Sequence, residues 1–453
     1  MRYKFIFFIL FLSIVVTQHS QPTYFNRISS GGNLDYSDSR SMAMGNTFYS
    51  TGSTSSIISR NPSKLGYLTN NILVDFQNNL HISFERRSID VLDGWGEFLT
   101  ETDYVFNQHT YDYQSLGFIY NKQFQAFDIG FGFNYKPLTT FDYSYEEEIR
   151  GDADFADGVL GIRDPIIGYH IYNNRGQLNV ASIGFGITRK DKKLYLPTSF
   201  GISINKILSS EVTDKLLVDT LYNTADPYDY DNMSNALETI NTYKIDKVEH
   251  YITASLELPL TKESLLILSY ESEASAMTNN VDNIDWSFSQ ATGLPWILDF
   301  NDQNQLVLKT LEVDFLKPER VAIGLLHSPM YDKSLVMAFE LVQENYSNEI
   351  NKKIEEYKVG FEYQPKIGYP IRAGLSYKEP YFGALDPVTI LTLGTGKKIN
   401  NLDIDVALNY SNTNYRNLDI FPLIDLENID CNQDCDKIIE NNLTFSTNFK
   451  WSF

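Results

Sequence analysis

The sequence is short of several things, and each shortage excludes something. Cysteine occurs only as Cys431 and Cys435, so no disulfide framework staples the fold. Basic residues number 37 against 58 acidic ones, a net charge of -21. A chain that acidic repels phosphate backbones, which argues against nucleic acid as a partner. The same charge keeps exposed loops soluble. Histidine is rare and scattered, at His19, His81, His109, His170, His250 and His327. HExxH, GxSxG and Walker motifs are all absent, so the sequence predicts neither an enzyme nor a cofactor or metal site. Past the first residues, no apolar run is long enough for a transmembrane helix.

Those first residues have the layout of a secretory signal peptide over residues 1–20. Arg2 and Lys4 are followed by the apolar run Phe5 to Val16 and then by Thr17-Gln18-His19-Ser20. An exported chain without membrane helices is either soluble or a membrane-spanning β-barrel. Composition favours the barrel. There are 30 tyrosines and 29 phenylalanines, yet the mean hydropathy is only -0.27. Aromatic girdles combined with a polar lumen and polar loops would give both values.

Alternation carries the argument further. Leu443, Phe445, Phe449, Trp451 and Phe453 share one parity, while Asn442, Thr444, Ser446, Asn448, Lys450 and Ser452 hold the other. In a strand the two sets point to opposite faces. The same pattern recurs at Leu402–Tyr410, Ile129–Lys136, Ser182–Ile187 and Ile371–Tyr377. Charged residues and glycines fill the second face again and again, which points to a wet barrel interior. Arg320, Arg372, Asp403 and Asp405 are lumen-facing candidates on that basis. The count is a 14-stranded antiparallel transmembrane β-barrel over residues 71–453, with 305–328 taken as one bent strand carrying Pro318 at an edge or bulge. Short turns then alternate with long outer loops at 87–110, 137–178, 208–247, 276–304 and 413–440. An even count puts both termini at the short-turn, periplasmic end.

The outer loops contain apolar clusters. Val91, Leu92, Trp95, Phe98 and Leu99 have helical spacing. The segment 293–300 supplies Leu294, Trp296 and Ile297. These residues either form a greasy lid or pack the loops onto the barrel rim. Cys431 and Cys435 read as a small loop disulfide, since a metal site would need two more soft ligands nearby. The run Asp152, Asp154, Asp157, Gly158 lacks the spacing of an EF-hand and reads as a solvated loop, with opportunistic calcium binding as the alternative.

Residues 21–70 remain, as a periplasmic or hatch segment inside the barrel. Met42-Ala43-Met44-Gly45-Asn46 and Arg60-Asn61-Pro62-Ser63-Lys64-Leu65 resemble the small-residue "GMGxA…NPAGL" stretch of the FadL/TodX outer-membrane family. The segments 317–329, 369–380 and 391–411 resemble that family's late strands, and more closely those of its Bacteroidetes branch, which includes the PorV protein of type IX secretion. Ser63 replaces the family's Ala, and Thr51 to Ser56 lacks the family's acid. The resemblance implies a hatch at Met42, Met44, Gly45, Asn46, Asn61, Pro62 and Leu65. It also implies a Gram-negative outer membrane as location, with the terminal Phe449, Trp451 and Phe453 read by the barrel-assembly machinery. Two functions follow from it: passive uptake of hydrophobic molecules such as long-chain fatty acids, or docking of secretion-system proteins. The partners implied are membrane lipid together with a hydrophobic ligand or those proteins.

Overall fold

The computed structural model describes residues 32–33, 36–69, 71–150, 166–189, 198–218, 237–278, 296–300, 306–310, 315–332, 334–346, 353–366, 368–380, 386–421 and 435–453. Fourteen strands close into an antiparallel barrel. They are β1 (Ile72–Leu92), β2 (Phe98–Gln123), β3 (Phe127–Thr140), β4 (Gln177–Arg189), β5 (Thr198–Ile207), β6 (His250–Pro259), β7 (Ser264–Glu271), β8 (Glu319–His327), β9 (Leu335–Asn345), β10 (Ile354–Tyr363), β11 (Ile371–Lys378), β12 (Val388–Ile399), β13 (Leu402–Asn417) and β14 (Asp436–Ser452). Each pairs with the next, and β14 returns to β1 through pairs such as Phe76↔Phe449, so no edge is left at closure. Phe453 completes the seam by donating its N–H to the Ile72 carbonyl at 2.9 Å. Among the described residues no helix is long and apolar enough to cross a membrane.

Alternation explains why these segments suit a bilayer. Val74, Phe118, Phe131, Phe185, Ile202, Ile252, Ile323, Leu341, Phe361, Leu393, Leu408 and Phe445 all stand exposed on the outside. They form an apolar belt, and only a closed ladder leaves no backbone donor unsatisfied against lipid.

Three expectations need correcting. Residues 305–328 are not one bent strand. Phe315–Lys317 pairs with Ala274–Thr278 in a separate outer sheet, and β8 starts at Glu319. Pro318 sits between the two pieces; it cannot donate to a ladder, so the chain changes sheets there. The long outer loops are also not loops throughout. Tyr143–Arg150, Ile166–Arg175, Ser210–Val218, Leu237–Val248, Ala274–Thr278 and Phe315–Lys317 build a six-stranded sheet outside the barrel. The helical spacing around Trp95 belongs to a hairpin. β1 and β2 continue to the pair Leu92↔Phe98, and Asp93 Oδ1 accepts from the N–H groups of Trp95 and Glu97 at 2.8 Å each to make the turn.

The interior is not simply wet either. Residues 36–66 run through the lumen and are buried throughout except for the half-buried Arg40. They form α1 (Ser39–Ala43), α2 (Phe48–Thr51) and two 3-10 turns at Ser55–Ser59 and Pro62–Gly66. The chain reaches the lumen from the long-loop end, because Gly32 and Asn33 pair with Thr140 and Thr139 at the outer end of β3.

The inward glycines are the footprint of this segment. Gly130, Gly186 and Gly201 lie side by side across β3, β4 and β5, with Gly132 and Gly184 paired beside them. A Cβ on Gly186 would lie 2.6 Å from the Pro62 carbonyl, and on Gly184 or Gly132 2.8 Å from Ile58 side-chain atoms. On Gly130 or Gly201 it would overlap the backbone of Leu65 or Pro62–Ser63. A second patch, Gly360↔Gly374 on β10 and β11, receives Met44 and Gly45 in the same way. β4 and β11 are seven strands apart in a ring of fourteen, so the two patches face each other and the segment braces across the lumen.

A side chain at either patch should therefore unseat the segment. Gly130→Val or Gly374→Val is expected to cost about 1–3 kcal/mol of overpacking at the contact. The readout is limited proteolysis, with faster cleavage within 36–66 in a barrel that stays folded. Gly94→Val is the control, since nothing lies within 4 Å of its Cβ. Equal cleavage in all three variants would contradict the footprint.

Candidate functional site

Short helical turns leave unsatisfied N–H groups, and the segment supplies only one carboxylate to meet them. Asp38 caps α1 by accepting from the Ser41 N–H at 2.8 Å, and its other oxygen accepts from Ser53, tying the two arms of the segment together. The remaining acids come from the wall. Asp75 on β1 accepts from the Ser55 N–H at 2.8 Å, and Glu340 on β9 from the Ser50 N–H at 2.6 Å. Glu257 on β6 accepts from the Asn61 amide at 2.8 Å. The acid missing from Thr51 to Ser56 is thus replaced from the strands. Sequence reasoning passed over Asp75, Glu257 and Glu340, although their inward parity was readable.

Ion pairs continue the attachment. Arg40 makes a two-pronged contact with Glu362 at 2.8 and 2.9 Å. Arg372 then bridges Glu362 at 2.6 Å and Asp405 at 2.7 Å. Lys450 reaches Asp405 at 2.9 Å and donates to the Ser53 hydroxyl at 3.0 Å. Higher in the lumen Glu271 accepts from the Tyr49 hydroxyl at 2.6 Å and pairs with Arg60 at 3.2 Å and Lys317 at 3.3 Å. Arg320 pairs with Glu344 at 2.7 Å. Buried pairs of this kind cost little while complete and about 3–5 kcal/mol when one partner is removed.

The sequence-marked residues take these places. Met42, Met44 and Leu65 are buried against the wall. Gly45 and Asn46 adopt positive φ values of 69° and 58° at the bend between α1 and α2. Asn61 precedes Pro62, which opens the second 3-10 turn. Asp403 lies at the short-turn mouth, 3.6 Å from Lys398. Trp95 and Phe98 stand exposed at the hairpin tip, at 90% and 58%. Trp296 and Ile297 pair in register with Thr310 and Lys309, and Leu294 lies outside the described residues. Cys435 is disulfide-bonded; Cys431 lies outside the described residues, as do Asp152, Asp154, Asp157 and Gly158. Among the described residues no group of three His, Cys, Asp or Glu side chains could hold a metal ion.

The wall is interrupted between β2 and β3. β2 pairs with β1 over nearly its whole length, but with β3 only from Leu116↔Tyr135 down to Gln123↔Asp128. Above Tyr135, β3 bulges at Pro137–Thr139 and pairs with β4 on one edge, while Asn33 and Gly32 pair with Thr139 and Thr140 on the other. Among the described residues no strand pairs with the freed edge of β2. Proline cannot donate to a ladder, so Pro137 suits the point where pairing stops. Behind this seam stands a row of rings. His109 and Tyr111 lie 6.1 Å apart, Tyr111 and Tyr113 6.5 Å, and Tyr143 meets His109 edge-on at 5.9 Å. On the outside of the same stretch, Phe106, Gln108, Thr110, Asp112 and Gln114 are exposed.

No family model matches the sequence, and no curated protein matches it either. Solved structures do. The chain is similar to the toluene transporter TodX of Pseudomonas putida at 14% identity and a TM-score of 0.55, over 93% of this chain and 99% of that one. A Pseudomonas aeruginosa FadL homologue aligns at 11% identity and a TM-score of 0.52, over 92% and 98%. The CymD monoaromatic hydrocarbon channel aligns at 13% and 0.51, over 93% and 98%. At these identities the likeness is one of fold alone.

The outer sheet carries its own titration. Burial, and then the neighbouring Asp419, push the Glu147 carboxyl up to about 9. Its folded state therefore holds a proton that the unfolded chain, with a carboxyl near 4.3, releases. The stability this contributes is complete below about pH 4 and is lost as pH rises through 9. Hydrogen exchange of Tyr143–Arg150, corrected for intrinsic rates, should accelerate from pH 5 to 9, and Glu147→Gln should flatten the profile. An unchanged slope in the variant would assign the effect elsewhere.

Proposed function

We propose that the chain is an outer-membrane channel of the FadL/TodX type that passes hydrophobic small molecules passively, with long-chain fatty acid-like or monoaromatic compounds as the ligand class. The observation that carries this reading is the interrupted seam between β2 and β3 with the ring row behind it. A hydrophobic solute gains about 25 cal/mol per Å² by leaving water for such a surface. The aromatic edges also offer contacts that a polar pore lacks. A path from the outer sheet past His109, Tyr111 and Tyr113 to the seam would spare the solute the charged, packed lumen below. Residues 36–66 then act as a hatch that seals the barrel against water. The shared fold supports this reading, as do the leader-like first residues and the aromatic C-terminus, which fit export and assembly into an outer membrane.

A second reading, docking of secretion proteins as in the PorV-like branch, draws on the filled lumen and the six-stranded outer sheet. Native purification with mass spectrometry of bound lipids and proteins separates the two. A bound hydrophobic compound without partners favours the channel, whereas stoichiometric secretion subunits without ligand favour docking.

The channel has a sharper test. Gln114→Cys with Pro137→Cys places a thiol on each strand just above the last pair, so oxidation should close the seam. Uptake of a labelled monoaromatic or fatty acid by cells carrying the oxidised variant is expected to fall about tenfold and to recover on reduction. Full uptake through a closed seam would sink the lateral path.

A further inference from the structure

A cleft of about 650 Å³ opens at the short-turn mouth of the barrel, on the opposite side of residues 36–66 from the ring row. Its size is that of a small-molecule site, but its lining is polar, which sets the ligand class. Arg40, Arg372, Lys397, Lys398 and Lys450 face Glu362, Asp403 and Asp405 across it, so five basic side chains meet three acidic ones. That surplus of two positive charges sits in a chain whose net charge is -21. The three inner cations are engaged by Glu362, Asp405 and Ser53 in the chain of contacts described above. The two rim cations are held only loosely. Lys397 lies 5.4 Å over the exposed Tyr369 ring, and Lys398 is 69% exposed and 3.6 Å from Asp403.

We infer that this cleft binds a small anion of one or two negative charges, with a carboxylate or phosphate as the anionic group. Lys397 and Lys398 meet the anion at the rim, with the inner cations paired behind them by Glu362 and Asp405 and with Asp38 beside Ser53. A concave, partly dehydrated cleft focuses that surplus more strongly than open surface would. Arg40 and Ser53 belong to the inner segment, so an occupant lies against the same residues that anchor it to β10 and β14. The inference goes beyond the channel reading, since a barrel that passes nothing hydrophobic would still present the cleft.

The test is isothermal titration of the full-length protein in a non-ionic detergent at low ionic strength. Succinate and inorganic phosphate are the probes, with choline as the cationic control. At least one anion should bind saturably, while choline should not. Binding should weaken about tenfold in Lys397→Gln/Lys398→Gln and fall as salt screens the rim. Lys122→Gln, at the same end but outside the cleft, should bind as the parent does. Phosphate binding alone would identify a phosphate site and succinate binding alone a carboxylate site. Binding of neither anion, equal binding of choline, or an unaffected double variant overturns the proposal.

Discussion

The structure depends on backbone meeting backbone inside the barrel. Residues 36–66 approach two glycine patches on opposite walls so closely that a single Cβ at Gly130 or Gly374 would overlap main-chain atoms. Dense packing of this kind has no slack, so any added atom is felt. The small residues of the inner segment and the glycines of the strands are two halves of one contact. Gly is costly in a strand interior, and its repetition at in-register inward positions is explained by what approaches it there.

Around that contact the charges form a graded attachment. Wall carboxylates cap turns that have no acid of their own, each contribution being about 1 kcal/mol. The chain Arg40–Glu362–Arg372–Asp405–Lys450 then pins the α1 side to β10 through β14. The opposite arm, with Pro62 and Leu65, is held by shape against Gly130, Gly186 and Gly201 and by the Arg60–Glu271 and Asn61–Glu257 contacts beside it. Both arms thus carry contacts to wall carboxylates, and the second adds close packing on its own glycine patch.

Much of this was legible in the sequence, for physical reasons. Period-two alternation with lipid on one side is a strong signal, and it located all fourteen barrel strands, including β8, where only the upstream extension was misplaced. Pro318 reads as an irregularity in the sequence; its role as the boundary between two sheets depends on partners far away in sequence. Glycine on the inward parity reads as water-facing, because one strand cannot reveal what leans on it. Trp95 and Phe98 have helical spacing, yet hairpin pairing over β1 and β2 overrode it. Parity alone marks Arg320, Arg372 and Asp405, which lie buried, and Asp403, which lies at the short-turn mouth instead. The cleft, the seam at Pro137, the capping acids Asp75 and Glu340 and the Asn61 partner Glu257 arise from juxtaposition across strands, which no single segment encodes.

The account stands or falls on where the inner segment sits. Ser39 on α1 and Ser446 on β14 place their hydroxyl oxygens 2.7 Å apart. A Ser39→Cys/Ser446→Cys variant should form its disulfide quantitatively under mild oxidation in membranes, with the barrel otherwise unchanged. Cysteines there that stay reduced and label freely with a water-soluble maleimide would show that the segment does not occupy the lumen as described.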